Sequence, residues 1–220
     1  MVKKLLIVLV AVSATVFVIT VWPFRHAGGS EPPVTEQGSG TFQTAGGSAD
    51  RTGHGRLLRY RVEVEDGIGA DADDFASWVD RILADPRGWT AGGRWSFVRP
   101  ESGRVDFIVQ LTSPATVDEI CGAYGLSTGR EASCRGGEHV VINLRRWLRG
   151  IPAYRGDVDS YRHLVVNHEV GHFLGYHHMD CPDEGGYAPV MQAQMYGLHG
   201  CEPNAWPYRD GRFINGPAVP

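Results

Sequence analysis

The chain has 220 residues, of which 42% are hydrophobic and 21% are charged, a composition typical of one globular domain with a tail. Its formal net charge is −4, and three of the 21 basic residues (Lys3, Lys4 and Arg25) lie near the N-terminus. The rest of the chain has 18 basic residues and all 25 acidic residues, so the body of the chain is acidic. This balance argues against nucleic acid or an anionic membrane surface as a main partner.

Residues 1–24 are predicted to be an N-terminal membrane anchor or a signal peptide. Two lysines precede an uncharged run from Leu5 to Trp22, and a helix of that length spans about 27 Å, close to the bilayer core. The apolar stretch of a cleaved signal peptide is usually shorter, which favours a single-pass anchor, with secretion after cleavage as the alternative. In both cases the positive-inside rule predicts an extracytoplasmic location.

Residues 25–55 are predicted to be a flexible linker, because they are rich in Gly, Ser, Thr and Pro and have little apolar content. The folded domain is then expected over residues 56–220. Strand patterns occur at 56–67, 94–100, 104–111 and 140–144, and a helical pattern covers 71–88. Residues 157–175 predict a second helix, capped by Asp157 or Asp159 and ended by Gly175.

These elements predict an α+β fold, with a mixed twisted β-sheet, two main α-helices and a small irregular C-terminal lobe. Prolines after Gly175 interrupt any long element in that lobe. Four cysteines fit an oxidising compartment, and no C-x-x-C is present, which favours disulfides over a cysteine metal site. The natural local pairing, one of three, joins Cys121 with Cys134 and Cys181 with Cys201.

The segment HEVGHFLGYHH at residues 168–178 carries the strongest chemical signal. His168 and His172 are four positions apart on the predicted helix, so their side chains point to nearly one face. Two imidazoles in this arrangement can bind one Zn²⁺, and a catalytic site needs a third ligand and an open fourth position. The neighbouring Glu169 can reach a water molecule in that open position rather than the metal.

The third ligand is predicted to be His178, since Gly175 can adopt a left-handed turn that brings the chain back to the metal. His177 is the alternative, with a less favourable spacing from Gly175. His163 lies about 140° round the helix from His168 and is expected to face elsewhere. His139 is expected to be an ordinary surface or hydrogen-bonded histidine.

Residues 168–178 resemble the signature of the metzincin zinc peptidases, H-E-x-x-H-x-x-G-x-x-H. The downstream APVMQAQ is similar to the Met-turn of that clan, which would place Met191 beneath the zinc ligands; an ordinary core methionine is the alternative. The resemblance implies a metzincin-like fold and one Zn²⁺ per chain. The signature matches at His168, Glu169, His172, Gly175 and His178.

A wider resemblance covers residues 56–207, including VVIN and GCEPNAWP. This region is similar to an actinobacterial family of extracytoplasmic proteins whose metzincin-like domain is uncharacterised, so the resemblance supplies no substrate. The chain also departs from familiar metzincins, because its C-terminal lobe is short and rich in proline. No tyrosine lies two residues after Met191, and Tyr196 is a candidate oxyanion ligand by proximity alone.

The expected function is zinc-dependent hydrolysis of peptide bonds by an endopeptidase, with Glu169 as general base and then general acid. The substrate would be a peptide or protein, bound in extended form along a sheet edge for which residues 125–135 are the candidate. Two alternatives remain open. One is a non-catalytic module that binds cell-envelope partners, its zinc closed by Glu184 or His177, and the other is a zinc amidase acting on cell-wall peptides.

Overall fold

The computed structural model describes residues 31–219, and its centre is a seven-stranded mixed sheet. The strands lie in the order β2-β4-β3-β5-β7-β6, and β1 pairs with β3. The inner pairs β4–β3, β3–β5 and β5–β7 are parallel, whereas β1, β2 and β6 pair antiparallel with their neighbours. The strands are β1 (Phe42–Thr44), β2 (Ala49–Gly53), β3 (Arg56–Glu65), β4 (Trp95–Arg99), β5 (Phe107–Thr112), β6 (Cys134–Gly136) and β7 (His139–Asn143).

The main hydrophobic core lies between one face of this sheet and two long helices, α1 (Ala72–Ala84) and α4 (Val158–Phe173). Alternate residues of β3, such as Leu58, Tyr60 and Val62, face this core, as the period of a strand requires. Asp71 caps α1 and Asp157 caps α4, each accepting a backbone N–H three residues later. The predicted α+β class and the mixed sheet are therefore confirmed.

Two further α-helices correct the prediction of two main helices. The described residues contain α2 (Pro114–Gly122), on the opposite face of the sheet, and α3 (Leu144–Arg149), directly after β7. Both are short, and α2 begins with a proline, so neither shows the long apolar period that revealed α1 and α4. Beneath α2 a second small core joins Val117, Cys121, Cys134 and Val141.

The flexible linker predicted for residues 25–55 is wrong for the part that the structure describes. Strands β1 and β2 lie in this segment and pair with β3 and β4. Backbone pairing and hydrogen bonds hold most of the segment: the buried carboxylate of Glu65 accepts the N–H of Gly40, while Ala45 alone of the segment's described residues is buried in the main core. A linker composition therefore concealed two strands.

The C-terminal lobe follows α4 and is irregular, as the sequence predicts. It contains a short hairpin of β8 (Tyr208–Arg209) and β9 (Arg212–Phe213) and the disulfide Cys181–Cys201. Buried amide side chains also hold it: the Asn204 side chain donates to the carbonyl of Ala188, and that of Asn167 in α4 donates to the carbonyl of Ala205. The second of these hydrogen bonds attaches the lobe to the helix that carries two of the candidate metal ligands.

The predicted membrane anchor at residues 1–24 lies outside the described residues. Among residues 31–219, no helix combines the length and the apolar character needed to cross a bilayer.

Candidate metal centre

Three histidine side chains meet at one point beside α4. The Nε2 atom of His172 lies 3.1 Å from Nε2 of His168 and 3.2 Å from Nε2 of His178. A ligand atom of each of the three lies within 4.8 Å of the other two. Two nitrogen ligands at 2.0–2.1 Å from a tetrahedral Zn²⁺ are separated by about 3.3 Å, so these spacings fit one such ion.

The imidazole rings of His168 and His172 are oriented by hydrogen bonds at their Nδ1 atoms, on the side away from the other histidines. The Nδ1 atom of His168 lies 2.8 Å from the carbonyl oxygen of Val190, and Nδ1 of His172 lies 2.9 Å from that of Tyr176. A carbonyl only accepts, so both Nδ1 atoms carry the proton and both Nε2 atoms present lone pairs to each other. Such facing lone pairs repel unless a cation lies between them, and this arrangement is typical of metal-binding histidines.

Burial keeps these imidazoles neutral, as metal ligands must be. It lowers the pKa of His168 to about 3 and that of His172 to about 4; the neighbouring histidines lower both further, and the hydrogen bonds to Val190 and Tyr176 oppose the shift in part. The pKa of His178 is also lowered, chiefly by burial. At neutral pH no proton therefore bridges the three nitrogen atoms, and the donor set fits a divalent cation.

The turn after α4 places the third histidine. Gly175 has φ +93°, a left-handed conformation that glycine adopts without steric cost, and the N–H of Tyr176 bonds the carbonyl of Gly171. Val219 then donates its N–H to the carbonyl of His178. The neighbouring His177 lines the same cavity but does not join the cluster of ligand atoms.

Met191 lies directly against the ligand-bearing helix, fully buried. A Cβ added at Gly171 would come within 2.3 Å of the Met191 sulfur and 2.6 Å of the Trp89 ring, so only glycine fits there. Val190, the residue before Met191, supplies the carbonyl that orients His168. Met191 is thus both a core methionine and part of the turn that supports the metal ligands.

Glu169 is a buried carboxylate without a partner. Its side chain is 5% exposed and lines the same cavity as the three histidines. No donor among residues 31–219 lies within hydrogen-bond distance of it, and burial raises the pKa of Glu169 to about 8. A buried carboxyl group left unpaired is costly, and such groups concentrate at functional sites.

The cavity around these residues has a volume of about 390 Å³. Its walls are α4, residues 126–128 and 132–135 beside the sheet edge β6, and residues 192–196 of the lobe. Tyr196, 72% exposed, lies in the last of these. Two residues that sequence reasoning did not single out also line it, Arg135 and Gln192, and each has a buried polar atom without a partner.

The sequence does contain a signal for Arg135, but interpreting that signal requires knowledge of the Cys121–Cys134 disulfide. Cys134 faces α2, where it bonds Cys121, so strand alternation sends the next side chain to the α4 face. The structure places the Arg135 guanidinium on that face, 6.0 Å from the ring of Phe173. No comparable sequence signal marks Gln192.

Comparison with known proteins identifies the family. A family model described as "Protein of unknown function (DUF3152)" matches residues 28–209, which include every residue of the metal centre. The chain belongs to the DUF3152 family. Comparisons with curated proteins and with solved structures found no match.

Other residues of this DUF3152 chain occupy the positions expected for them. His163 stacks on Trp206 with ring centroids 4.9 Å apart, away from the cavity, and Nδ1 of His139 pairs with the Gln110 side chain. The predicted disulfides Cys121–Cys134 and Cys181–Cys201 are both present. Two disulfides are consistent with an extracytoplasmic protein.

Proposed function

We propose that this chain is a zinc-dependent, metzincin-like peptidase that hydrolyses peptide bonds outside the cytoplasm. The observation that carries the proposal is the convergence of three neutral imidazole nitrogens in a cavity that also holds the unpartnered carboxylate of Glu169. Three protein ligands and an open position are typical of catalytic zinc sites, whereas structural sites use four.

The residues around the centre divide the chemistry between them. A zinc ion held by the three histidines would supply a Lewis acid that polarises the scissile carbonyl and acidifies water. In its ionised form, which the charge of a bound divalent cation would favour, the Glu169 carboxylate takes a proton from the attacking water and passes it to the leaving amine. Because no donor among the described residues bonds this carboxyl group, it is available for that exchange.

The sheet edge offers a place for an extended peptide. Among the described residues, β6 pairs only with β7, so its outer edge carries unpaired backbone groups next to the cavity. A peptide aligned with this edge would use main-chain hydrogen bonds and bring one of its carbonyls over the three histidines. This location agrees with the expectation for residues 125–135 and extends it to Gly136.

The non-catalytic alternative needs a closed site. Among residues 31–219, the cluster of potential ligands contains three histidines, and neither Glu184 nor His177 is part of it. A purely structural metal site also gains nothing from a buried, unpaired carboxylate such as Glu169. Both points favour the hydrolase over the binding module.

The experiment that tests the proposal compares hydrolysis by the zinc-loaded full chain with hydrolysis by the same protein after chelation. A diverse peptide library and intact peptidoglycan serve as substrates, which separates a peptidase from a cell-wall amidase. We expect zinc-dependent cleavage of peptides and a fall of about 10²- to 10⁴-fold in kcat for Glu169→Gln, the usual size of a general-base contribution.

The matched control is Glu184→Gln, since Glu184 lies in the lobe outside the metal cluster and outside the cavity lining. We expect the control to keep wild-type turnover and both variants to keep their zinc. Equal turnover by Glu169→Gln and the wild type would remove Glu169 from its assigned role. Cleavage that survives chelation would contradict the metal mechanism.

A further inference from the structure

We propose that the substrate carries a carboxylate group and that Arg135 binds this carboxylate inside the cavity beside the three histidines. The inference rests on the proposed function, since it concerns the substrate of the same site. It names the chemical class that Arg135 selects, an acidic peptide.

The Arg135 guanidinium has no anionic partner among the described residues. No carboxylate there lies within ion-pair distance of it and no acceptor within hydrogen-bond distance, and its Nε atom is buried and unsatisfied. The guanidinium has five donors in a fixed fork that matches a carboxylate. By contrast, Arg145 and Arg146 of α3 both bond the side chain of Glu131.

The position of Arg135 also favours this role. Strand alternation turns Arg135 towards α4, its guanidinium lies 6.0 Å from the ring centroid of Phe173 in that helix, and the residue lines the cavity that holds the three histidines. It is the one Arg or Lys side chain among the residues that line the described cavity. A guanidinium next to a divalent cation raises the electrostatic energy of the site unless an anion joins them.

A complementary acceptor, Gln192, lines the same cavity. Gln192 is 2% exposed, its Nε2 donates to the carbonyl of Gly197, and its Oε1 is buried with no partner. Because Oε1 is enclosed, an N–H group of a ligand reaches it only when the amide side chain turns towards the cavity. A peptide with a carboxylate offers both that N–H group and an anionic acceptor for the Arg135 guanidinium.

Two sources of the carboxylate are chemically equivalent at Arg135: an Asp or Glu side chain, or the C-terminus of the peptide. We would prepare one labelled octapeptide in four forms, with a central Glu or Gln and with a free or amidated C-terminus. A preference for Glu identifies the side chain as the source. A preference for the free C-terminus identifies a carboxypeptidase-like mode.

The test measures kcat/KM of the zinc-loaded full chain on these four peptides for the wild type, Arg135→Gln and Arg135→Lys. We expect the wild type to prefer one carboxylate form over its neutral partner by about 10- to 100-fold, the size of a charge-assisted hydrogen-bonded pair. Arg135→Gln should abolish that preference, mainly through KM. Arg135→Lys should keep part of it, because the charge remains and the two-pronged geometry is lost.

The matched control is Arg104→Gln, which removes the same charge from an exposed arginine outside residues 125–136 and outside the lining of this cavity. It should leave the preference unchanged. A preference that Arg135→Gln leaves intact, or that Arg104→Gln abolishes equally, would overturn the inference. Thermal unfolding of each variant checks that the fold survives.

A binding measurement separates this inference from the proposed function. Fluorescence anisotropy of the same four peptides, with zinc-loaded Glu169→Gln and Glu169→Gln/Arg135→Gln, requires no hydrolysis. Arg135-dependent binding of a carboxylate peptide without any turnover by the wild type would support the carboxylate site and refute the peptidase. Turnover without any Arg135-dependent preference would support the peptidase and overturn the carboxylate site. Absence of both binding and turnover would also overturn the inference.

Discussion

Glu65 and Glu169 are both buried, in different regions of this chain, and their surroundings are opposite. Glu65, at the end of β3, is 1% exposed and accepts hydrogen bonds from the N–H groups of Gly40 and Ser113 and from the Thr116 hydroxyl. Glu169, in the middle of α4, is 5% exposed and accepts none from the described residues. One carboxylate is fully used by the protein, and the other is left free in a cavity.

The difference separates a carboxylate that the fold uses from one that the proposed function assigns to catalysis. Glu65 joins three segments, and Gly38 packs so closely on it that an added Cβ would come within 2.4 Å of the Glu65 carboxyl carbon. For Glu169 we expect a stability cost, because burial disfavours its charged form and no described residue donates a hydrogen bond to it. A stability cost of this kind is typical of a site whose partner is a ligand.

The largest expected effect is on metal affinity. His178→Ala removes one of the three proposed ligands and should weaken zinc binding more than about 100-fold, beyond the 10- to 100-fold range of groups that only support a ligand. His177→Ala is the matched control and should change affinity little, because His177 is outside the cluster. Competition titration with a chelator measures both. The opposite ranking would transfer the third ligand to His177.

The next effect is on stability in the Glu65 region. Glu65→Gln should lower the free energy of unfolding by about 2 kcal/mol, since charge-assisted hydrogen bonds to Gly40, Ser113 and Thr116 are weakened or lost. Urea denaturation of the zinc-free chain measures it, with the exposed Glu119→Gln as control. Zinc affinity should not change. A change of less than 0.5 kcal/mol, an approximate limit for surface substitutions, would mean that Glu65 is dispensable.

A smaller effect of opposite sign is expected at Glu169. Glu169→Gln should leave the unfolding free energy of the zinc-free chain equal to the wild-type value or raise it by up to about 1 kcal/mol, because no hydrogen bond is lost. The same denaturation experiment measures it. A decrease as large as that of Glu65→Gln would contradict the comparison and imply a partner for the Glu169 carboxylate.

The smallest effect concerns His163, on the face of α4 away from the cavity. Burial lowers the pKa of His163 in the folded chain, Arg87 lowers it further and Asp85 opposes this. The folded state then binds fewer protons than the unfolded state below about pH 6.5, so its stability is fully present above that pH and falls as the pH decreases. His163→Gln should reduce this fall by less than about 1 kcal/mol between pH 7 and pH 5. An unchanged pH dependence would contradict the assignment.

The sequence predicts most of the helices and strands whose apolar residues recur with a regular period. The helices α1 and α4 and the strands β3, β4, β5 and β7 have such patterns, and each occurs where its pattern predicts. The three histidines are also predictable, because four positions on a helix and a glycine turn fix their directions. These features depend on local spacing alone.

Features that depend on long-range polar contacts were not predictable. β1 and β2 are polar strands held by pairing with distant strands, and their composition is that of a linker. Arg135 reaches the cavity because a disulfide fixes the direction of its neighbour, and Gln192 reaches it through an irregular loop held by buried amides such as Asn204. No local pattern in the sequence records such contacts.

The central claim is that three imidazoles hold one metal ion with a fourth position open to a small exchangeable ligand. X-ray absorption spectroscopy of the zinc-loaded full chain tests it most directly. The account predicts three imidazole nitrogens at about 2.0–2.1 Å and one further light atom that azide or a hydroxamate displaces. Four ligands from the protein itself, or fewer than three imidazoles, would contradict it.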